Sequence, residues 1–202
     1  MIVLCSDGLS IQRLSARVER RMVDCKIAAL VVTADPIYKE KNHHVPRCVK
    51  ELEQLGMTVS LFDLDSQLPD ELLEYDVVEF IGGNPFYLLH SIRQHSAQDV
   101  LGKIARDKIL IGWSAAAFVF GPTLALLNRY SPEMNDIGLE DLRGLALTCV
   151  EVLPHYGKFL SRFNRFEERC SEYEEEHGVQ VVRLNDGEGI LIDGNDIEIC
   201  RL

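Results

Sequence analysis

The sequence predicts an α/β fold in which a mostly parallel sheet is wound with helices on both faces, giving three layers. Short runs rich in Val, Ile and Leu recur along the 202 residues and alternate with amphipathic stretches. Each run is apolar throughout instead of alternating with polar residues, which is the mark of strands buried on both faces. No internal repeat, linker or low-complexity stretch interrupts the pattern, so residues 1–202 read as a single domain.

The first run, Ile2–Cys5, is a short strand that ends at SDG. Leu9–Met22 carries apolar residues at helical spacing, and Lys26–Thr33 is the second strand. Val45–Leu55 is a helix closed by Gly56, because Val45, Val49, Leu52 and Leu55 fall on one face. Thr58–Asp63 is a strand, and LPDELLEY is a short helix with proline near its first turn. Val77–Ile81 runs as a strand into Gly82-Gly83-Asn84-Pro85, Phe86–His95 is helical, and Lys108–Gly112 is a further strand. Beyond it TCVEVLPHY reads as a strand with a histidine at its end, and Phe159–Glu176 as one charged amphipathic helix. VQVVRL and GILIDG are strands, and DIEICRL pairs with the latter as a C-terminal hairpin over Gly194-Asn195.

Composition narrows the function classes. A formal net charge of −11 argues against nucleic acid, which needs a basic face. No apolar run reaches the roughly 18 residues of a membrane span, and MIVLCSDG lacks the basic start of a signal peptide. Six cysteines are scattered without CxxC or Cys/His spacing, so they read as reduced thiols with no metal site. The expectation is a cytoplasmic protein, monomer or homodimer, that binds neither nucleic acid nor membrane and holds no cofactor.

In an open α/β sheet the ligand site lies outside the carboxyl ends of the strands, which draws attention to three strand ends. Ser114 follows the buried run KILIG and opens the Ala-rich stretch Ala115–Ala117. At such a strand-to-helix turn a serine is either the N-cap of the helix or a nucleophile beside free helix N–H groups that stabilise an oxyanion. Gly82-Gly83-Asn84 ends the preceding strand, where glycines give a plain turn or let the backbone approach a ligand. A serine nucleophile needs a base to take its proton. Among six histidines only His155 ends a strand, and Glu188 in NDGEGILI stands where it could orient that imidazole.

The chain order GGN, GWSA, PH, then EG before the last strands resembles the peptidase E family of serine hydrolases, which includes the α-aspartyl dipeptidases. The resemblance is most specific at FIGGNPFYLL, IGWSAAAFVFGPTL and LPHY. It implies a fold similar to class I glutamine amidotransferases and a metal-free, cofactor-free serine (di)peptidase acting on small peptides through an acyl-enzyme. By the same resemblance Ser114 matches the nucleophile, His155 the base and Glu188 the acidic third member. Gly83 and Ala115 match the oxyanion-hole N–H groups, and Asn84 a residue at the substrate's amino end. The α-aspartyl dipeptidases carry a substrate-pairing arginine after the histidine; in this chain Arg162, Arg165 and Arg169 all stand in that segment, in alternative registers, with Arg169 taken for the site. The chain departs from the family at Ala116, where GxSAGA has glycine. That departure motivates the alternative, a non-catalytic binding or regulatory member of the same fold. A glutaminase would place cysteine at the elbow, where this chain has serine.

Overall fold

Strand β1 (Ile2–Cys5) is fully buried and sends alternate side chains to opposite sides, Ile2 and Leu4 into one apolar core and Val3 and Cys5 into another. This is the geometry a continuous apolar run requires, and it recurs in β2 (Ile27–Val31), β4 (Val77–Phe80) and β5 (Ile109–Trp113). In the computed structural model, which describes residues 1–202, these strands join β3 (Thr58–Phe62), β8 (Gly189–Asp193) and β9 (Asp196–Cys200) in one sheet. Its order is β3-β2-β4-β5-β1-β8-β9. The first five strands are parallel, and β8 and β9 are antiparallel additions closed by the Gly194-Asn195 hairpin. The expected fold class, a mostly parallel sheet between helical layers, is the one observed.

Helices α1 (Gln12–Glu19) and α2 (Val45–Gln54) send Leu14, Val18, Cys48 and Leu52 into the core that also receives Val3 and Ile111. On the opposite face lie α3 (Pro85–Gln94), α4 (Gln98–Asp107), α5 (Ala115–Phe120), α6 (Ala125–Tyr130) and α8 (Phe166–His177). Helix α4 has no counterpart in the sequence reading. Gly102 interrupts its pattern, yet Val100, Leu101 and Ile104 bury one face. The charged segment expected as one helix is two, α7 (Tyr156–Arg162) and α8, because Phe163 is extended and Arg165 is left-handed (φ 52°). The strand in TCVEVLPHY is also shorter, β6 (Glu151–Leu153). It pairs with β7 (Val181–Arg183) in a separate two-stranded sheet instead of joining the main one. No helix is long and apolar enough to cross a membrane.

One polar side chain is buried where an apolar one would be expected. Glu79 on β4 is fully buried, and neither carboxylate oxygen has a hydrogen-bond partner. Burial, reinforced by the charge of Glu51, raises its pKa to about 8, so the native protein holds a proton that the unfolded chain releases above its ordinary 4.5. The stabilisation is therefore complete below pH 4.5 and is lost as pH rises through about 8. Urea unfolding should show native stability falling by about 1.4 kcal/mol per pH unit across this window, and Glu79→Gln should flatten that slope. A variant with the native slope would show that Glu79 is ionised in the folded state.

Candidate active site

Strands β4, β5 and β1 are neighbours, so their carboxyl ends meet on one edge, and β1 alone touches both β5 and β8. Ser114 follows β5 with φ 52° and ψ −108°, a sparsely populated conformation for a residue with a side chain. Its N–H donates to the Cys5 carbonyl (3.1 Å), which holds the turn against β1. The side chain makes no N-capping hydrogen bond to α5. Instead Ser114 Oγ lies 2.9 Å from His155 Nε2.

His155 follows β6 in the left-handed region (φ 58°, ψ 26°), which turns its ring back across the sheet edge. Nδ1 lies 2.6 Å from Asp186 Oδ1. Burial pushes the Asp186 carboxyl up, but hydrogen bonds from Lys158, Ser6 and His155 outweigh it and bring the pKa down to about 2. Asp186 therefore stays charged across the physiological range. Lys158 Nζ lies 2.5 Å from Oδ2, and Ser6 Oγ donates to Oδ1 at 2.8 Å. The result is a continuous line from hydroxyl to imidazole to carboxylate.

The carboxylate in this line is not the expected Glu188. That side chain folds back on its own turn, where Oε2 accepts the Asn185 N–H (2.8 Å) and pairs with Arg201 (2.9 Å). It is buried against the C-terminus and makes no bond to His155. Asp186, two residues earlier in the same loop, is the group that reaches the imidazole.

Gly83 and Ala115, the two residues expected to supply oxyanion N–H groups, follow β4 and β5, and Gly83 lines the cavity over Ser114. Neither N–H donates to a protein acceptor, and they lie at the adjacent ends of β4 and β5. Gly83 adopts φ +156°, and a Cβ there would lie 2.2 Å from the Ala34 carbonyl oxygen, so only glycine fits. Ala116 is fully buried within the ordinary helix α5. A Cβ at Gly112 would lie 2.5 Å from the Phe120 ring and 3.1 Å from the Ala116 methyl, so the bare glycine leaves space that both side chains use.

Two further expectations are corrected. The Asn84 side chain is committed within the protein: Oδ1 caps α3 through the N–H groups of Phe86 (2.9 Å) and Tyr87 (3.2 Å), and Nδ2 donates to the Met134 carbonyl (2.8 Å). Arg169 sits on α8, where it donates to the Arg129 carbonyl, away from the cavity. The break between α7 and α8 separates the three arginines, and only Arg162 lines the cavity.

That cavity, of about 550 Å³, opens over Ser114 and His155, within the usual range for small-molecule sites. Asp7, His43, His44, Arg47 and Lys158 also line it. His43 and His44 stand immediately before α2. His44 packs edge-on to Trp113 (5.3 Å between ring centroids), and burial lowers its pKa, favouring the neutral ring. Beside Trp113, donor atoms of Cys48, Glu51 and Glu79 lie within 4.8 Å of one another. Arg47 already pairs with Glu51 (2.6 Å), and burial keeps the Cys48 thiol and Glu79 protonated, so this cluster is poorly suited to a cation.

Residues 22–200 match the model of peptidase family S51. The chain belongs to that family. It is 27% identical to an uncharacterized peptidase, Lmo0363, of Listeria monocytogenes over 183 residues, which cover 88% of this chain and 87% of the relative. It is 24% identical to peptidase E of a Nostoc species over 162 residues, covering 78% of this chain and 65% of that protein. In fold it is similar to a peptidase E-type protein of Listeria monocytogenes EGD-e, with a TM-score of 0.81 at 23% identity, covering 100% of this chain and 98% of the other. Membership in S51 makes peptide hydrolysis the activity that the site has to explain.

Proposed function

We propose that this S51 member is a serine peptidase that hydrolyses small peptides, of dipeptide type, through an acyl-enzyme on Ser114. The observation that carries the reading is the unbroken line Ser114 Oγ–His155 Nε2 (2.9 Å) and His155 Nδ1–Asp186 Oδ1 (2.6 Å). Ser114 attacks the scissile carbonyl as His155 Nε2 takes its proton. The free N–H groups of Gly83 and Ala115 receive the oxyanion, and the imidazolium passes the proton to the leaving amine. Water then repeats the cycle on the ester. Asp186 holds Nδ1–H, so that Nε2 is the basic nitrogen facing the hydroxyl.

The charges in the cavity suit a substrate bearing both signs. Arg47 is neutralised by Glu51 and Lys158 by Asp186, whereas Arg162 has no carboxylate partner. Arg162 is therefore the cation available to a substrate carboxylate, the role the resemblance gave to Arg169. Asp7 lines the cavity without a cationic partner, as an unpaired acid for a substrate ammonium. Ala116, the motive for a non-catalytic reading, sits buried in the α-helix α5, with its methyl and the Phe120 ring in the space that Gly112 leaves.

The direct test is a serine-directed fluorophosphonate. Intact-mass and peptide analysis should find one adduct, on Ser114, whose formation is blocked by prior unfolding. Folded protein that remains unlabelled at Ser114 would remove the nucleophile from the mechanism.

A further inference from the structure

We propose that Ser6, the first residue after β1, is a positioning residue that fixes the His155–Asp186 pair and so forms a fourth member of the site; this rests on the acyl-enzyme reading above. Ser6 is fully buried, and its single hydroxyl is used in two directions. Oγ accepts the backbone N–H of His155 at 2.9 Å and donates to Asp186 Oδ1 at 2.8 Å. It also lies 3.3 Å from His155 Nδ1. One oxygen thus touches the backbone of the base, its ring nitrogen and the carboxylate oxygen that orients it.

Topology explains why this position can do so. β1 lies between β5 and β8, and its last residues reach both halves of the site. The Cys5 carbonyl holds the Ser114 N–H, and the Ser6 N–H holds the Glu188 carbonyl at 3.1 Å. His155 comes from the separate β6–β7 sheet, so nothing in the main ladder fixes its distance from Ser114. The Ser6 hydroxyl supplies that link. It also anchors the left-handed backbone of His155, whose N–H would otherwise be left without an acceptor. The family match begins at residue 22, so Ser6 lies outside the region by which the chain is assigned to S51.

Removing the hydroxyl has two effects. The imidazole is held less firmly against Ser114, which lowers kcat more than it alters KM, because Ser6 is buried and does not line the cavity. Asp186 also loses a donor, which leaves more carboxylate charge to stabilise the imidazolium. The acidic limb of the kcat/KM profile should then move to higher pH, by about half to one unit. The other charged or titratable groups near the ring, Lys158 and His44, are untouched by the change.

The experiment compares wild type, Ser6→Ala and Ser6→Thr for peptide kinetics, pH profile, and the low-field proton of the His155–Asp186 hydrogen bond by NMR. Ser6→Ala is expected to lower kcat about 10- to 100-fold with KM within about twofold, raise the acidic limb, and broaden or shift the low-field signal. Ser6→Thr, which keeps the hydroxyl, should recover most of the loss. If alanine does not fold, Ser6→Cys, a slightly larger side chain that is only a weak donor and acceptor, is measured in its place and is expected to show the same losses. An unmoved acidic limb together with an unchanged low-field proton would overturn the inference. The NMR signal is read in the resting protein, so it decides the role of Ser6 even if wild type were to hydrolyse no peptide, an outcome that would count against the acyl-enzyme reading instead.

Discussion

Ser114→Ala is expected to lower kcat/KM for a cleaved peptide by about 10⁴-fold or more, since a serine nucleophile has no substitute within the site. Its geometry makes this a clean measurement. Alanine keeps the Cβ, so the backbone at φ 52° and ψ −108° is neither more nor less strained than in the native turn. The Ser114 side chain caps nothing in α5, so no helix hydrogen bond is lost with it. Thermal stability should therefore stay within a few degrees of wild type, and binding of a non-hydrolysed dipeptide should persist, because the unpaired charges of Arg162 and Asp7 remain. A non-catalytic member of the fold would show no hydrolysis before or after the change. Native-level hydrolysis by the alanine variant would place the chemistry elsewhere in the cavity.

The positions of Ser114 and Gly83 were legible because both depend on local rules. A buried strand must end, and the residues just past the ends of β4 and β5 lie on the open edge of a parallel sheet. The same reasoning picks out His155, although its strand lies in the small β6–β7 sheet, so this residue meets Ser114 by a different route. Side-chain direction within a loop obeys no such periodicity. NDGEG offers two carboxylates, and only the fold of the turn shows that Glu188 closes on Asn185 while Asp186 faces the histidine. The arginines failed for a related reason. One continuous helix would have placed Arg162, Arg165 and Arg169 in a fixed relation, but the left-handed Arg165 divides the segment and leaves only Arg162 in the cavity. Ser6 carried no local signal at all, since its partners lie 149 and 180 residues away.

The two carboxylates of that loop give the second large expected effect. Asp186→Asn should lower kcat by about 10⁴-fold, because an amide at this point no longer fixes the tautomer that leaves Nε2 free to accept the serine proton. It also leaves Lys158 without its partner at 2.5 Å, a charge that then opposes formation of the imidazolium. Glu188→Gln should do the opposite in kind. It weakens the pair with Arg201 and the hydrogen bond from the Asn185 N–H in a buried turn, so the midpoint of urea unfolding should fall, with kcat changed only a few-fold. Kinetics and urea unfolding measured on both variants therefore separate the orienting acid from the structural one. The reverse pattern, with kcat abolished by Glu188→Gln and spared by Asp186→Asn, would mean that substrate binding rebuilds the turn and brings Glu188 to the imidazole.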